Sequence, residues 1–431
     1  MTSLRTLTCL LGAAFASLST ATAAAPDVDW HALNHQAAQQ AKARDYAGLH
    51  DTLLQLAPAM PGSPTIVYNL AASAARLGHP DEAVAALARL ADAGLSYDVA
   101  ADDDFASLAE RADFRALRER LAANKNAIGA ATRLMAFAAV DALPESLAWD
   151  ARTRRLFVSD VRHCEIRVVA DPTRAPATDR RFARLPASVF ALAIDAKRHR
   201  LWATIATVAQ ADGCGEGAPS AERTALLALD LRTGRVLQRI EGGLPGVLGD
   251  MLVADDGTVV VTESVHGAVL RLRPGATAFD RLDVAGDFVS PQTPALSADG
   301  RTLVVPDYVR GIAQVDLGAC PCGARWPANG PGVFTAGIDG LVRDGATLVA
   351  VQNGTSPPRV IRFADDLARQ QVLESGTAGF GEPTHGVVVG RSLWFISDVG
   401  WDRFEESGKR KAGAAPSRAE LRSLPLGAGL P

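Results

Sequence analysis

The chain has 431 residues, of which 48% are hydrophobic and 21% charged, which excludes a disordered chain and allows a sizeable core. Its formal net charge of −4 gives no electrostatic footing for nucleic acid or an anionic membrane as partner. At the start, Arg5 precedes an apolar stretch from Leu7 to Leu18, and Ala21-Thr22-Ala23 offers a small-residue cleavage site, so residues 1–23 read as a secretory signal peptide. The stretch is too short to span a bilayer, and no later segment reads as a membrane span. Thr8 is too bulky before Cys9 for lipid attachment. The expectation is a periplasmic or secreted protein. Processing leaves Cys164, Cys214, Cys320 and Cys322, an even number that points to disulfides in an exported chain. Cys320-Pro321-Cys322 is too compact for a zinc knuckle and reads as a staple to Cys164 or Cys214.

Residues 27–128 form a helical module in this reading, with alanine and leucine recurring at three- and four-residue spacings. Pro64 to Asp92 reads as two antiparallel helices turning at Gly78-His79-Pro80, because glycine and proline both end helices. Val67, Leu70, Ala71, Ala83 and Leu87 fall near the packing positions of a tetratricopeptide repeat, which this segment resembles. Tyr46-Ala47 starts a weaker copy. Such repeats seldom stand alone, so two roles are open: a cap docked on the rest of the chain, or a surface for a protein partner. Asp102-Asp103-Asp104 lacks the glycine turn and distal glutamate of a calcium loop and reads as an acidic helix start.

From residue 133 to 428 the texture is β-rich. One unit recurs six times, roughly 40 to 50 residues apart: a strand, a polar turn, a second strand ending in an acid or amide, then a third strand. Leu303-Val304-Val305-Pro306-Asp307 and Leu348-Val349-Ala350-Val351-Gln352 are two of the second strands. The spacing predicts a mainly β fold, a six-bladed β-propeller, and argues against a two-sheet sandwich. Arg235–Ile240 and Asp280–Val284 read as fourth strands. Leu421–Leu426 reads as closing the ring against Met135–Ala139 or a neighbouring blade. Trp149, Trp202 and Trp394 read as core. Asp150, Asp195, Asp299 and Asp344 read as turn residues, and Asp160, Glu263, Asp307 and Asp398 as hairpin caps.

In a propeller the start of each innermost strand points into one mouth of the central channel. Those positions are Glu145, Asp250, Gln292 with Thr293, Asp339 and His385, with only Ser188 from blade 2. Acids, amides and an imidazole suit a hard divalent cation or a small polar ligand. Pro144-Glu145-Ser146-Leu147-Ala148-Trp149, Gly249-Asp250, Pro291-Gln292-Thr293 before Ser297-Ala298-Asp299-Gly300-Arg301-Thr302-Leu303, and Ile338-Asp339-Gly340 resemble motifs of the regucalcin/gluconolactonase family of six-bladed propellers. The resemblance spans roughly Leu143 to Val399. It implies a metal-dependent lactone or ester hydrolase with Ca²⁺ or Zn²⁺ held by Glu145, Gln292 and Asp339. It also implies Asp339 as catalytic base, and Asp250, Thr293 and His385 against the substrate. Gln292 and Thr293 stand where the family has asparagine and glycine, and Gly249 where it has asparagine. The alternative is a non-catalytic binding or scaffold protein that uses the propeller face and the helical module.

Overall fold

A computed structural model describes residues 29–174, 176–214, 224–318, 323–427 and 429–430. The expected signal peptide, Cys9, Cys320 and Cys322 lie outside the described residues. Six antiparallel sheets, five of them running in chain order from an innermost strand outward, form a six-bladed propeller. The innermost strands are β2 (Leu147–Asp150), β6 (Ser188–Asp195), β10 (Leu248–Val253), β14 (Ala295–Leu296), β17 (Ile338–Asp344) and β21 (Gly386–Val389). Second strands include β15 (Thr302–Asp307) and β18 (Thr347–Gln352). Successive side chains of a strand point to opposite faces, and here both faces are covered. Thus Leu303 and Val305 pack toward blade 3 with Val260 and Val269, while Val304 between them packs toward blade 5 with Leu348 and Ala350. Val349 and Val351 then meet Leu393 and Phe395 of blade 6. Unbroken apolar runs, rather than alternating ones, are what such a double-faced strand requires. Trp202 and Trp394 are buried in these seams, and half-buried Trp149 stacks edge-on against Trp394 at 5.0 Å.

The ring closes in blade 6. There β23 (Glu420–Pro425) lies between β22 (Ser392–Ile396) and β1 (Thr132–Ala136), pairing Arg133 with Arg422 and Met135 with Leu421. The expected fourth strands appear as β9 (Val236–Glu241) and β13 (Asp280–Arg281). Among the described residues blade 4 has three strands, with one isolated bridge from Gln314 to Arg325 where a fourth would run. The cysteine expectation is corrected: Cys164 and Cys214 bond to each other, joining blade 1 to blade 2, so neither is free to hold Cys320 or Cys322.

Five α-helices precede the ring: α1 (Trp30–Ala43), α2 (Tyr46–Leu56), α3 (Pro64–Arg76), α4 (Pro80–Asp92) and α5 (Ala112–Ala123). Asp29 and Asp45 cap α1 and α2 by accepting from Ala32 and Gly48 amides, and prolines open α3 and α4. The acidic run starts a short 3₁₀ helix: Asp102 accepts from the Asp104 amide and from Tyr68 Oη at 2.6 Å. No helix among the described residues is long and apolar enough to cross a membrane. The helices dock on the loops of blades 4 and 5, at the end of the channel where the innermost strands begin, here called the upper end. The Gly62 carbonyl accepts from the Thr335 and Ala336 amides, each at 3.0 Å. Arg310 donates to the Ala59 carbonyl, and fully buried Arg359 to that of Ala93 at 2.5 Å. Phe334 of the propeller is buried in the helical core, a contribution of about 2 kcal/mol. These contacts are those of a cap docked on the ring.

Candidate functional site

Three of the site positions follow a proline: Pro144 before Glu145, Pro291 before Gln292, and Pro383 two residues before His385. A proline holds its segment extended and offers no N–H to a neighbouring ladder, so these approaches need other anchors. The anchors are the residues that end the second strands. Asp160 accepts from the Leu143 amide at 3.3 Å, and Glu263 from Val247 at 3.0 Å. Asp307 accepts from Val289 and Ser290 at 2.7 and 2.9 Å, and Asp398 from Glu382 at 3.3 Å. In blade 5 the same place is held by Gln352, which donates to the carbonyls of Phe334 and Ala336. These residues do cap their own hairpins: Asp307 also accepts from Val309 and Arg310, and Glu263 from Val265 and His266. Each in addition fixes the loop that delivers a site residue.

Glu145, Asp250, Gln292, Asp339 and His385 line one cavity of about 460 Å³ at the upper mouth. Glu382 adds a fourth acid, and no lysine or arginine lines it among the described residues. Phe190 and Val208 of blade 2 give it an apolar side, and Ser188 is buried beneath beside Cys164. Thr293 sits below the floor, lining a second cavity of about 290 Å³ toward the lower mouth. Its hydroxyl lies 2.8 Å from Asp250 Oδ1 and 3.0 Å from the Asp339 carbonyl. Asp250 and His385 border both cavities, so together they form the partition between them.

The partition is an ion pair. Asp250 and His385 are only 2% and 7% exposed, and His385 Nε2 contacts Asp250 Oδ1. Burial pushes the His385 pKa down, but the carboxylates of Asp250, Asp339 and Glu145 outweigh it and raise the value to about 10. His385 is therefore an imidazolium at neutral pH, and both ring nitrogens donate. Nδ1 meets Thr384 Oγ1 at 2.9 Å, and Thr384 donates on to Glu145 Oε2 at 3.0 Å. Trp401 Nε1 holds the other oxygen of Glu145. Burial first, then the charge of Asp339, pushes Glu145 up to about 8. Burial likewise raises Asp339, with Asp250 adding to the shift. Asn353 Nδ2 binds Asp339 Oδ2 at 2.7 Å, and Tyr308 donates to Asn353 Oδ1 at 2.9 Å. Gln292 turns its amide nitrogen to Ser290, which leaves Oε1 for the cavity.

Sequence reasoning missed Thr384, Asn353, Tyr308, Glu382 and Trp401. Thr384 and Asn353 carried a signal, since each adjoins a residue already singled out, His385 and Gln352. Tyr308 follows Asp307 in the same way. Trp401 comes from a short 3₁₀ turn (Trp401–Arg403) inside the long connection between β22 and β23, which no strand pattern marks.

No protein-family model matches this sequence, and no curated protein is similar to it. Solved structures resemble it over the ring. A gluconolactonase from Xanthomonas campestris shares 17% identity, covering 68% of this chain and 89% of its own, with a TM-score of 0.46. Regucalcin from Agrobacterium tumefaciens shares 17%, covering 69% and 93%, also at 0.46. An aldose sugar dehydrogenase from Streptomyces coelicolor, in its PQQ-bound form, shares 15%, covering 69% and 99%, again at 0.46. Likenesses this distant carry no chemistry across.

Proposed function

We propose that the upper mouth binds a divalent cation and hydrolyses a small neutral ester or lactone, in an exported protein. The observation that carries this reading is the pair Glu145 and Asp339, two carboxylates lining one cavity and each raised in pKa. The His385 imidazolium pairs with Asp250 and lies 3.9 Å from Glu145 Oε2, yet both carboxyls stay raised, so its charge offsets theirs only in part. Such a pair favours a positive charge between its members. Glu145, Asp339 and the amide oxygen of Gln292 are all hard oxygen donors, a set suited to Ca²⁺ better than to Zn²⁺. Among the described residues no three acidic, histidine or cysteine side chains are grouped to hold an ion, and the reading takes Gln292 as the third ligand. A cation held there supplies Lewis-acid polarisation of a carbonyl. Asp339, steadied by Asn353, would take the proton of an attacking water. The acid-lined wall without lysine or arginine disfavours an anionic substrate. The Cys164–Cys214 disulfide supports export, and N-terminal sequencing of exported protein is expected to begin near Ala24.

The test is a melting curve with and without CaCl₂, beside hydrolysis of γ-butyrolactone. A ligand that binds only the folded state stabilises it, by about 2.7 kcal/mol at a hundredfold excess over Kd. Asp339→Asn keeps the shape and is expected to abolish both the Ca²⁺ shift and turnover. A second reading is favoured by the chain Asp250–His385–Thr384–Glu145, which links a buried ion pair to a carboxyl that titrates near neutrality. Hydrolysis that survives a chelator but is lost in Glu145→Gln belongs to that metal-free acid–base route. Ca²⁺ binding with no turnover of any ester or lactone leaves a binding protein.

A further inference from the structure

Beside the upper mouth lies another cavity, of about 380 Å³, between the helices and the loops of blades 4 and 5. Ala38 of α1, Leu49 and Leu53 of α2 and Ile66 of α3 form one side of it, and Val309 and Tyr308 of the propeller the other. No charged side chain lines it among the described residues. Asn34, Ser63, Thr65 and Asn69 add polar groups at its edge, but an ion would lose its hydration there without a counter-charge, whereas an aliphatic chain would gain from burial against Leu49, Leu53, Ile66 and Val309. Tyr308 also lines the central cavity, and Gly354 of this cleft directly follows Asn353 of that one. Tyr308 therefore stands as the wall between the two spaces, bonded to Asn353, which steadies Asp339.

We propose that this cleft is a subsite for a linear aliphatic arm of the substrate, whose ester or lactone group reaches the central cavity past Tyr308. The inference rests on the hydrolase reading for its catalytic meaning, while the cleft's preference for a neutral alkyl chain stands apart from it. The helical cap then contributes half of the specificity wall, and the substrate class narrows to alkyl-substituted esters or lactones.

Two measurements on the full chain test it. Calorimetric titration with 1-octanol needs no turnover: binding is expected, and Ala38→Trp, at an exposed position of α1 facing the cleft, is expected to weaken it about tenfold or more. Ala41→Phe, also exposed and on the same wall, serves if the first variant fails to fold. Absence of binding, or equal binding by both variants and the parent, overturns the proposal whether or not the chain hydrolyses anything. The second measurement compares kcat/KM for γ-dodecalactone and γ-butyrolactone. The long-chain substrate is expected to be favoured at least about tenfold through KM, and Ala38→Trp to erase the preference. Turnover of both lactones with no preference also overturns it. If neither is hydrolysed but octanol binds the parent and not the variants, the cleft stands and the hydrolase reading falls.

Discussion

At the lower end of the ring the chain turns back within a few residues. Residues 151–154 join β2 to β3 (Arg155–Asp160), and Gly345-Ala346 join β17 to β18. The aspartates there act locally: Asp150, Asp195 and Asp299 accept from Arg152, Arg198 and Arg301 amides at 3.0 to 3.1 Å. Asp344 differs in taking Arg362 at 2.8 Å. At the upper end connections such as 282–294 are long, and the same side chains act at a distance, tying one loop to another. One residue type thus closes a turn below and aims a site above. The difference lies in reach: Asp307 and Glu263, fully buried, take amides of a neighbouring loop, whereas Asp150 and Asp195, nearly as buried, take amides of their own turn.

Substitutions at the two ends sharpen that contrast. Asp339→Asn, at the upper mouth, is expected to lower kcat/KM by about two orders of magnitude or more without lowering Tm; retained activity would remove Asp339 from the chemistry. Asp307→Ala strands four backbone amides and is expected to cost about 3 kcal/mol in denaturant unfolding. It should also weaken Ca²⁺ binding through the Gln292 loop. A stability loss with calcium affinity untouched would make it a cap and nothing more. His163, also at the upper end, is held by Asp160 at 2.7 Å, and this bond raises its pKa. A raised base stabilises the fold fully below its unfolded pKa of about 6.5, and that contribution is lost as pH rises through the folded value. Tm is expected to slip slightly from pH 6 to 8.5, and His163→Gln to flatten that part of the slope. Asp299→Ala, an exposed turn residue at the lower end, is expected to leave turnover unchanged and Tm only slightly lower. A large effect there would break the contrast.

Much of this was legible in the sequence because each blade repeats its own local logic. Runs such as Leu303-Val304-Val305 announce strands covered on both faces, and the acid or amide that ends most second strands marks the upper end. Glu145, Asp250, Gln292, Asp339 and His385 follow from that register, and they share one cavity. Thr293, one residue further along, faces the other way, as period-two geometry dictates. The fourth strand of blade 4 was not legible, because 317–337 holds three prolines and five glycines and supports only a bridge. Trp401 reaches Glu145 across 256 positions of sequence, a contact that only the closed ring creates. The cleft beside Tyr308 was likewise invisible, since it belongs to neither the helices nor the propeller alone.

Strand β1 finds its partner β23 at the far end of the chain, with Arg133 opposite Arg422. During synthesis the helices and the first five blades have emerged before Glu420–Pro425 exists, so β1 waits without its neighbour through nearly the whole of translation. The helical contacts are local and form early, whereas ring closure is the most non-local event in the molecule and comes last. Strand β23 is thus a latch: a chain that stops before Glu420 lacks it altogether, leaving blade 6 open and the seam against blade 1 exposed.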